Sequence, residues 1–249
     1  MVQLRAALLL LVCLGLLAWS AWRGARRLAR LGQISVAVDR RRALLLRVLI
    51  PNVLVFFVGS IAGLAILGDL GCLFHPPRSF FGAMRQIHAL LRVGDIGPVL
   101  LGGLVGGACT AVVIVVLAAQ RRRGQPPRAP RRGIAPLLPR DGAETALAAL
   151  IATNAGVSEE LFFRLLLPLL FTLTIGSAAI GFLASAAVFG LAHLYQGLVG
   201  IAATFVLGLI FTALYLVTGS LAAPIVLHLA IDLMALVVRP TLARLAARP

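Results

Sequence analysis

Residues 197–217 read GLVGIAATFVLGLIFTALYLV, an apolar stretch without a single charged side chain. An α-helix needs about 20 such residues to cross a bilayer core about 30 Å thick. Further apolar runs lie at about 6–22, 43–67, 96–119, 142–173, 177–194 and 221–238. The sequence therefore predicts an all-α polytopic membrane protein with about seven transmembrane helices.

The amino-acid composition indicates the same class of protein. Hydrophobic residues make up 61% of the 249 residues, and charged residues make up only 12%, about half the share typical of a soluble domain. This composition excludes a disordered tail, a secreted disulfide scaffold and almost any soluble enzyme. The three cysteines lack the spacing of metal or redox sites; they are Cys13, Cys72 and Cys109.

The positive charge is concentrated between the apolar runs. The net charge is +15, and every basic residue is an arginine. Arginines in the loops of a membrane protein determine its orientation and lie beside anionic lipid, so they do not indicate nucleic-acid binding. We expect an integral protein of the cell membrane, of bacterial type, with its N-terminus outside and its C-terminus in the cytoplasm.

A basic linker divides the chain into two parts. Residues 120–141 contain seven arginines and five prolines, a content that excludes a packed helix and favours a cytoplasmic location. Before the linker lies a three-span N-terminal region, 1–119, and after it a helical core, 142–249. The run 142–173 is long for one span, but counting it as two would place the C-terminal arginines outside.

Six ionisable side chains interrupt the apolar runs of the C-terminal part. Each such residue costs about 2.5–3.5 kcal/mol at the bilayer centre on insertion scales, so a group of them indicates a functional site. We predict one intramembrane polar site in the cytoplasmic half of the membrane. Its members are Glu159, Glu160, Arg164, His193, His228 and Asp232.

Helical spacing separates the roles of the two adjacent glutamates. Glu160 and Arg164 are four residues apart and can form an ion pair on one helix face. Glu159 lies about 100° round the helix and is free of that pair. A carboxylate without a cationic partner in an apolar environment suits a general base. For Glu160 and Arg164 we expect a structural ion pair that fixes the helix, with a direct functional role as the alternative.

Three motifs with the same four-residue spacing follow one another along the chain. Together they resemble the CPBP family of intramembrane proteases, also called the Abi or CAAX protease 2 family, which includes CAAX-processing and bacteriocin-processing enzymes. The resemblance extends over about residues 142–238 and leaves the first 140 residues unmatched. The motifs are Glu159-Glu160-x-x-x-Arg164, Phe189-x-x-x-His193 and His228-x-x-x-Asp232.

The resemblance implies hydrolysis of a peptide bond within the membrane. By analogy with the family, Glu159 would activate a water molecule with the help of His193. His228 and the residue four positions later would bind the oxyanion of the tetrahedral intermediate. The family usually has Asn there, and an ionised Asp232 cannot donate to an oxyanion, so it would be protonated or would only orient His228. The supporting residues would be Glu160, Arg164 and Phe189.

The sequence leaves the metal dependence open between two mechanisms. Two histidines and a glutamate can hold a catalytic zinc ion. The chain has no H-E-x-x-H motif, however, and the ligands would come from three separate helices. We expect a mechanism without metal or other cofactor, with zinc as the alternative.

The resemblance implies a membrane-anchored or lipidated peptide or protein as the substrate. Prenylated C-termini, bacteriocin leaders and membrane-anchored sorting signals all remain open. One alternative function is a non-catalytic membrane scaffold that regulates a partner. Another is a proton-coupled transporter whose buried acids relay protons, although the spans lack the inverted repeats typical of many transporters.

Overall fold

The computed structural model describes residues 1–33, 38–91 and 137–246. Within these ranges every regular element is a helix, so the all-α prediction is confirmed for this part of the chain. The predicted span 96–119, Cys109 and most of the linker 120–141 lie outside the described residues.

The fold consists of long helices, several of which continue through π-helical segments. Its α-helices are α1 (Val2–Gln33), α2 (Val38–Asn52), α3 (Gly59–Leu67), α4 (Phe81–Leu91), α5 (Gly142–Glu160), α6 (Leu167–Ile175), α7 (Ala178–Ala192), α8 (Gly197–Thr218), α9 (Ala222–Leu233) and α10 (Arg239–Ala246). Short 3₁₀ turns lie at Leu70–Leu73, Arg78–Phe80 and Leu194–Gln196. Three π-helical segments join α2 to α3, α5 to α6 and α9 to α10; they are Val53–Val58, Leu161–Leu166 and Met234–Val238. Such segments are rare and frequently lie at functional sites.

Several of these long helices have the length and composition of membrane spans. Four described segments are long and apolar enough to cross a bilayer, namely Val2–Gly24, Arg41–Leu67, Leu194–Thr218 and Ala222–Leu245. A fifth apolar helix, Ala178–Ala192, is shorter. Large apolar side chains remain exposed on the outside of the bundle, with Leu198 and Val199 more than four-fifths accessible. An apolar exterior of this kind is expected for an integral membrane protein.

Contacts between helices determine which candidate site residues can meet. α1 packs against α6, α7 lies between α6 and α8, and α9 packs against α5. The approach of α5 and α9 is especially close, because a Cβ atom on Gly156 would lie only 3.2 Å from the backbone nitrogen of Leu229. Leu229 follows His228 directly, so this glycine lets His228 come near the end of α5.

A buried ion pair connects the N-terminal helices to the C-terminal ones. The Arg41 Nε atom of α2 lies 2.8 and 3.0 Å from the two carboxylate oxygens of Glu144 on α5. Arg41 Nη2 also donates to the carbonyl oxygen of Leu138 at 2.7 Å. Both charged side chains are almost completely buried. An arginine that sequence analysis assigned to membrane topology therefore also attaches α2 to α5.

The N-terminus of α5 is capped beside this ion pair. The Asp141 carboxylate accepts a hydrogen bond from the backbone N–H of Glu144 at 2.7 Å, as an N-cap residue should. That bond, together with the nearby Arg42 guanidinium at 3.2 Å, holds the pKa of Asp141 below its usual value. Arg244 of α10 donates to the Asp141 carbonyl oxygen at 3.1 Å, so three helices meet at this cap.

Candidate active site

Glu160 is ion-paired on two sides. Its carboxylate oxygens lie 2.9 Å from Arg164 Nε and 2.7 Å from His228 Nδ1. All three side chains are buried. The predicted Glu160–Arg164 ion pair is therefore confirmed, and His228 joins it from a position 68 residues away. Both oxygens of this carboxylate are engaged, which suits a residue that positions its neighbours.

The Arg164 guanidinium lies between two aromatic rings. Its central carbon lies 4.7 Å from the ring centroid of Phe189 and 5.1 Å from that of Phe211. Cations over aromatic faces are stabilised electrostatically, most strongly where water is excluded. Phe189 was predicted as a supporting residue. Phe211 was missed, because an aromatic residue within the uniform apolar run 197–217 gives no signal in the sequence.

Glu159 lies about 100° round the helix from Glu160 and faces a cavity. Its side chain is 9% exposed, and within the described part of the chain its carboxylate makes no hydrogen bond or ion pair. The cavity has a volume of about 340 Å³ and is also lined by His193, His228 and Asp232. The structure thus separates the two glutamates as their spacing predicts.

His193 is held by the helix that precedes it. It caps the end of α7, and its Nδ1 atom lies 2.8 Å from the carbonyl oxygen of Phe189. A carbonyl oxygen can only accept, so Nδ1 carries the hydrogen. In the neutral ring Nε2 then has a free lone pair. The ring can therefore accept a hydrogen bond or a proton in the cavity.

His228 connects the Glu160 ion pair to the cavity. With Nδ1–H donating to Glu160, its Nε2 atom lies 3.6 Å from an Asp232 carboxylate oxygen, too far for a direct hydrogen bond. The imidazole stacks on Phe211 at a centroid distance of 5.1 Å. Nε2 can donate a hydrogen bond only in the imidazolium form, because the other ring hydrogen is already in use. The Asp232 side chain remains 27% exposed.

The motif residues lie within one recognisable family segment. Residues 142–234 match the family described as type II CAAX prenyl endopeptidase Rce1-like. This segment is Rce1-like. The predicted resemblance to the CPBP family, which includes CAAX-processing enzymes, is confirmed for this segment. The match covers less than half of the chain, and no curated protein and no solved structure shows significant similarity to it.

The cavity beside the Rce1-like motifs has polar walls that sequence analysis missed. Tyr195 and Gln196 line it, and Gln196 Nε2 donates to the Tyr195 hydroxyl oxygen at 3.1 Å. Ser20 of α1 and Asn52 of α2 line it from outside the Rce1-like segment. The sequence signal for Tyr195 and Gln196 was the polar break after His193, which resembles an ordinary turn. Ser20 and Asn52 belong to no motif.

A metal ion would need a cluster of ligating side chains. Among the described residues, none of the His, Cys, Asp and Glu side chains forms a group of three or more that could hold a metal ion. The two histidines of the Rce1-like motifs face the cavity, but their Nδ1 atoms are directed at Phe189 and Glu160.

Proposed function

We propose that the protein is an intramembrane endopeptidase. It hydrolyses a peptide bond near the membrane in a lipidated or membrane-anchored protein, with a glutamate-activated water. The observation that carries the proposal is the separation of the two glutamates. Glu160 is held by Arg164 and His228, while Glu159 presents an unpaired carboxylate to the cavity. The Rce1-like match supports a protease in general.

The first chemical step uses Glu159 and His193. Glu159 takes a proton from a water molecule whose other hydrogen is accepted by His193 Nε2. The water oxygen forms a bond to the scissile carbonyl carbon, and the carbonyl π electrons move to its oxygen. The tetrahedral intermediate then collapses, the C–N bond breaks, and Glu159 returns its proton to the leaving nitrogen. General-base catalysis of this kind contributes about 10²–10⁴-fold to the rate.

The developing oxyanion is stabilised by His228. As an imidazolium, His228 donates from Nε2 into the cavity while Nδ1 stays bonded to Glu160. A fixed donor aimed at the developing charge is among the strongest contributions to such reactions. The Asp232 carboxylate lies 3.6 Å from this Nε2 atom and also lines the cavity. These steps need no metal ion, and we propose a metal-free mechanism, with zinc as the alternative.

The substrate reaches the site from the membrane interface. On α1, Arg23 and Arg26 lie over the rings of Trp19 and Trp22 at 4.5 and 3.9 Å. Exposed tryptophans and arginines of this kind are typical of a membrane–water interface. Ser20 belongs to the same turns and lines the cavity. The name of the family favours a prenylated protein C-terminus, whose lipid would remain in the bilayer.

The topology follows from the charge distribution and the apolar runs. We propose seven transmembrane helices in a bacterial inner membrane, with the N-terminus outside. The linker 120–141 between the regions 1–119 and 142–249 then lies in the cytoplasm with the C-terminus. The partners of the protein are its lipidated substrate and the bilayer, and nucleic acid is not among them.

A cleavage assay tests the proposed function. The purified protein in liposomes is given a peptide with a farnesylated C-terminal CAAX sequence, and the released tripeptide is measured by mass spectrometry. We expect Glu159→Gln to lower the rate by at least 100-fold and to leave the folded protein in the membrane. The control is Asp69→Asn, at the end of α3, which should cleave normally. Cleavage by Glu159→Gln at the wild-type rate would refute the role of Glu159.

A further inference from the structure

Asn52 brings an amide to the cavity from the N-terminal part of the chain. It is the last residue of α2, between Pro51 and the π-helical segment Val53–Val58. Its half-buried side chain lines the same cavity as Glu159. Within the described ranges, this amide forms no hydrogen bond. A polar group that faces an enzyme cavity without a protein partner is available to a ligand.

Two contacts connect α2 and its following segment to α5 and its following segment. Near the start of both helices Arg41 pairs with Glu144, and in the π-helical segments that follow them the rings of Phe56 and Phe163 lie 5.5 Å apart. The two helices therefore run in the same direction, side by side.

The second of these contacts, between Phe56 and Phe163, places Asn52 about level with the proposed base. Asn52 precedes Phe56 by four residues, and Glu159 precedes Phe163 by four residues, which is about one helical turn in each case. All four side chains line the cavity. Asn52 and Glu159 therefore lie at about the same depth, and both line the cavity.

A carboxamide supplies what the two carboxylates of this site lack. The ionised carboxylates of Glu159 and Asp232 can only accept hydrogen bonds, whereas an Asn side chain has both a donor and an acceptor. A peptide unit also has one donor and one acceptor, so an Asn side chain complements it. The wall that carries Asn52 is firmly attached, because Arg41 and Glu144 are both buried.

We propose that Asn52 binds the backbone of the substrate peptide beside the scissile bond. The Asn52 amide donates to one backbone carbonyl of the peptide and accepts from a backbone N–H. The inference rests on the proposed peptidase function and extends it to a residue outside the Rce1-like segment. It assigns α2 a direct part in substrate recognition, in addition to closing the cavity.

The test compares three variants in liposomes with the farnesylated CAAX peptide. Asn52→Leu keeps the number and branching of the side-chain heavy atoms and removes both hydrogen bonds, and Asn52→Asp removes the donor alone. The control is Leu54→Ala, two residues further along the chain, where the side chain is exposed and is not among those that line the cavity. Each is measured for kcat and KM with Glu159 present, and for peptide affinity in the Glu159→Gln background, where binding is observed without cleavage. Thermal unfolding confirms that each variant is folded.

We expect Asn52→Leu to raise KM and weaken peptide affinity by about tenfold, as the loss of one or two hydrogen bonds should. Asn52→Asp should weaken both as well, and Leu54→Ala should match the parent protein. An Asn52→Leu variant that is folded and has unchanged KM and affinity would overturn the inference.

The binding measurement separates this inference from the proposed function. Peptide binding that depends on Asn52, in a protein that cleaves nothing, would support the inference and contradict the peptidase. Cleavage that depends on Glu159 but not on Asn52 would support the peptidase and contradict the inference. Absence of both binding and cleavage would count against both.

Discussion

Replacing Glu160 by glutamine should destabilise the protein strongly, although the change is nearly isosteric. Glu160 is fully buried between Arg164 at 2.9 Å and His228 at 2.7 Å. Removing one partner of a buried ion pair leaves an uncompensated charge and costs about 3–5 kcal/mol. In a protein of this size 1 kcal/mol shifts the melting temperature by about 2–4 °C. Glu160→Gln should therefore lower the melting temperature by on the order of 10 °C.

The neighbouring residue provides a matched control for this measurement. Glu159→Gln makes the same chemical change one position earlier, where the side chain has no ion pair within the described residues. Thermal unfolding in detergent, followed by circular dichroism, should show a melting temperature within a few degrees of the wild type. A second variant, Glu160→Gln with Arg164→Met, should recover part of the lost stability, since it removes the stranded cation. Equal melting temperatures for the two single variants would refute this reasoning.

Three further predictions concern topology, metal dependence and the α2–α5 contact. Reporter fusions at Pro130 and Pro249 should both report the cytoplasm, because arginine-rich segments stay inside; two external signals would reject the proposed orientation. Cleavage should survive strong chelators, and Asp232→Asn should keep or raise it by supplying an amide donor; stoichiometric zinc, with activity lost on chelation and restored by zinc, would reject the metal-free mechanism. Glu144→Gln should lower stability by about 3–5 kcal/mol because Arg41 loses its buried partner, and a double-mutant cycle with Arg41→Gln should show strong coupling; additive effects on unfolding would contradict it.

The parts of the site that could be predicted from the sequence depend on local geometry. A spacing of four residues places Glu160 beside Arg164 in any α-helix, and the same periodicity turns Glu159 away. These relations were predicted because they need no knowledge of tertiary structure. The apolar runs likewise predicted helices, since hydrophobicity over about 20 residues is itself the signal.

The parts that could not be predicted depend on packing between distant helices. His228 reaches Glu160 because Gly156 lets α5 and α9 come into backbone contact at Leu229, and nothing in the spacing of either helix encodes that meeting. Asn52 is similar, since its place at the depth of Glu159 follows from the contact between Phe56 and Phe163. Sequence motifs report which residues share a helix face, but not which faces meet.

The bond between His193 and the carbonyl oxygen of Phe189 has a consequence for mutational robustness. In many enzymes a carboxylate side chain selects the tautomer of the working histidine, so one substitution can remove it. Here a main-chain oxygen at the end of α7 does so, and every residue type at position 189 would retain that oxygen. An alanine scan would therefore report on the Phe189 ring but not on this contact. Substitutions during evolution can replace the Phe189 ring. The orientation of the His193 imidazole, in contrast, changes only if the last turn of α7 unwinds.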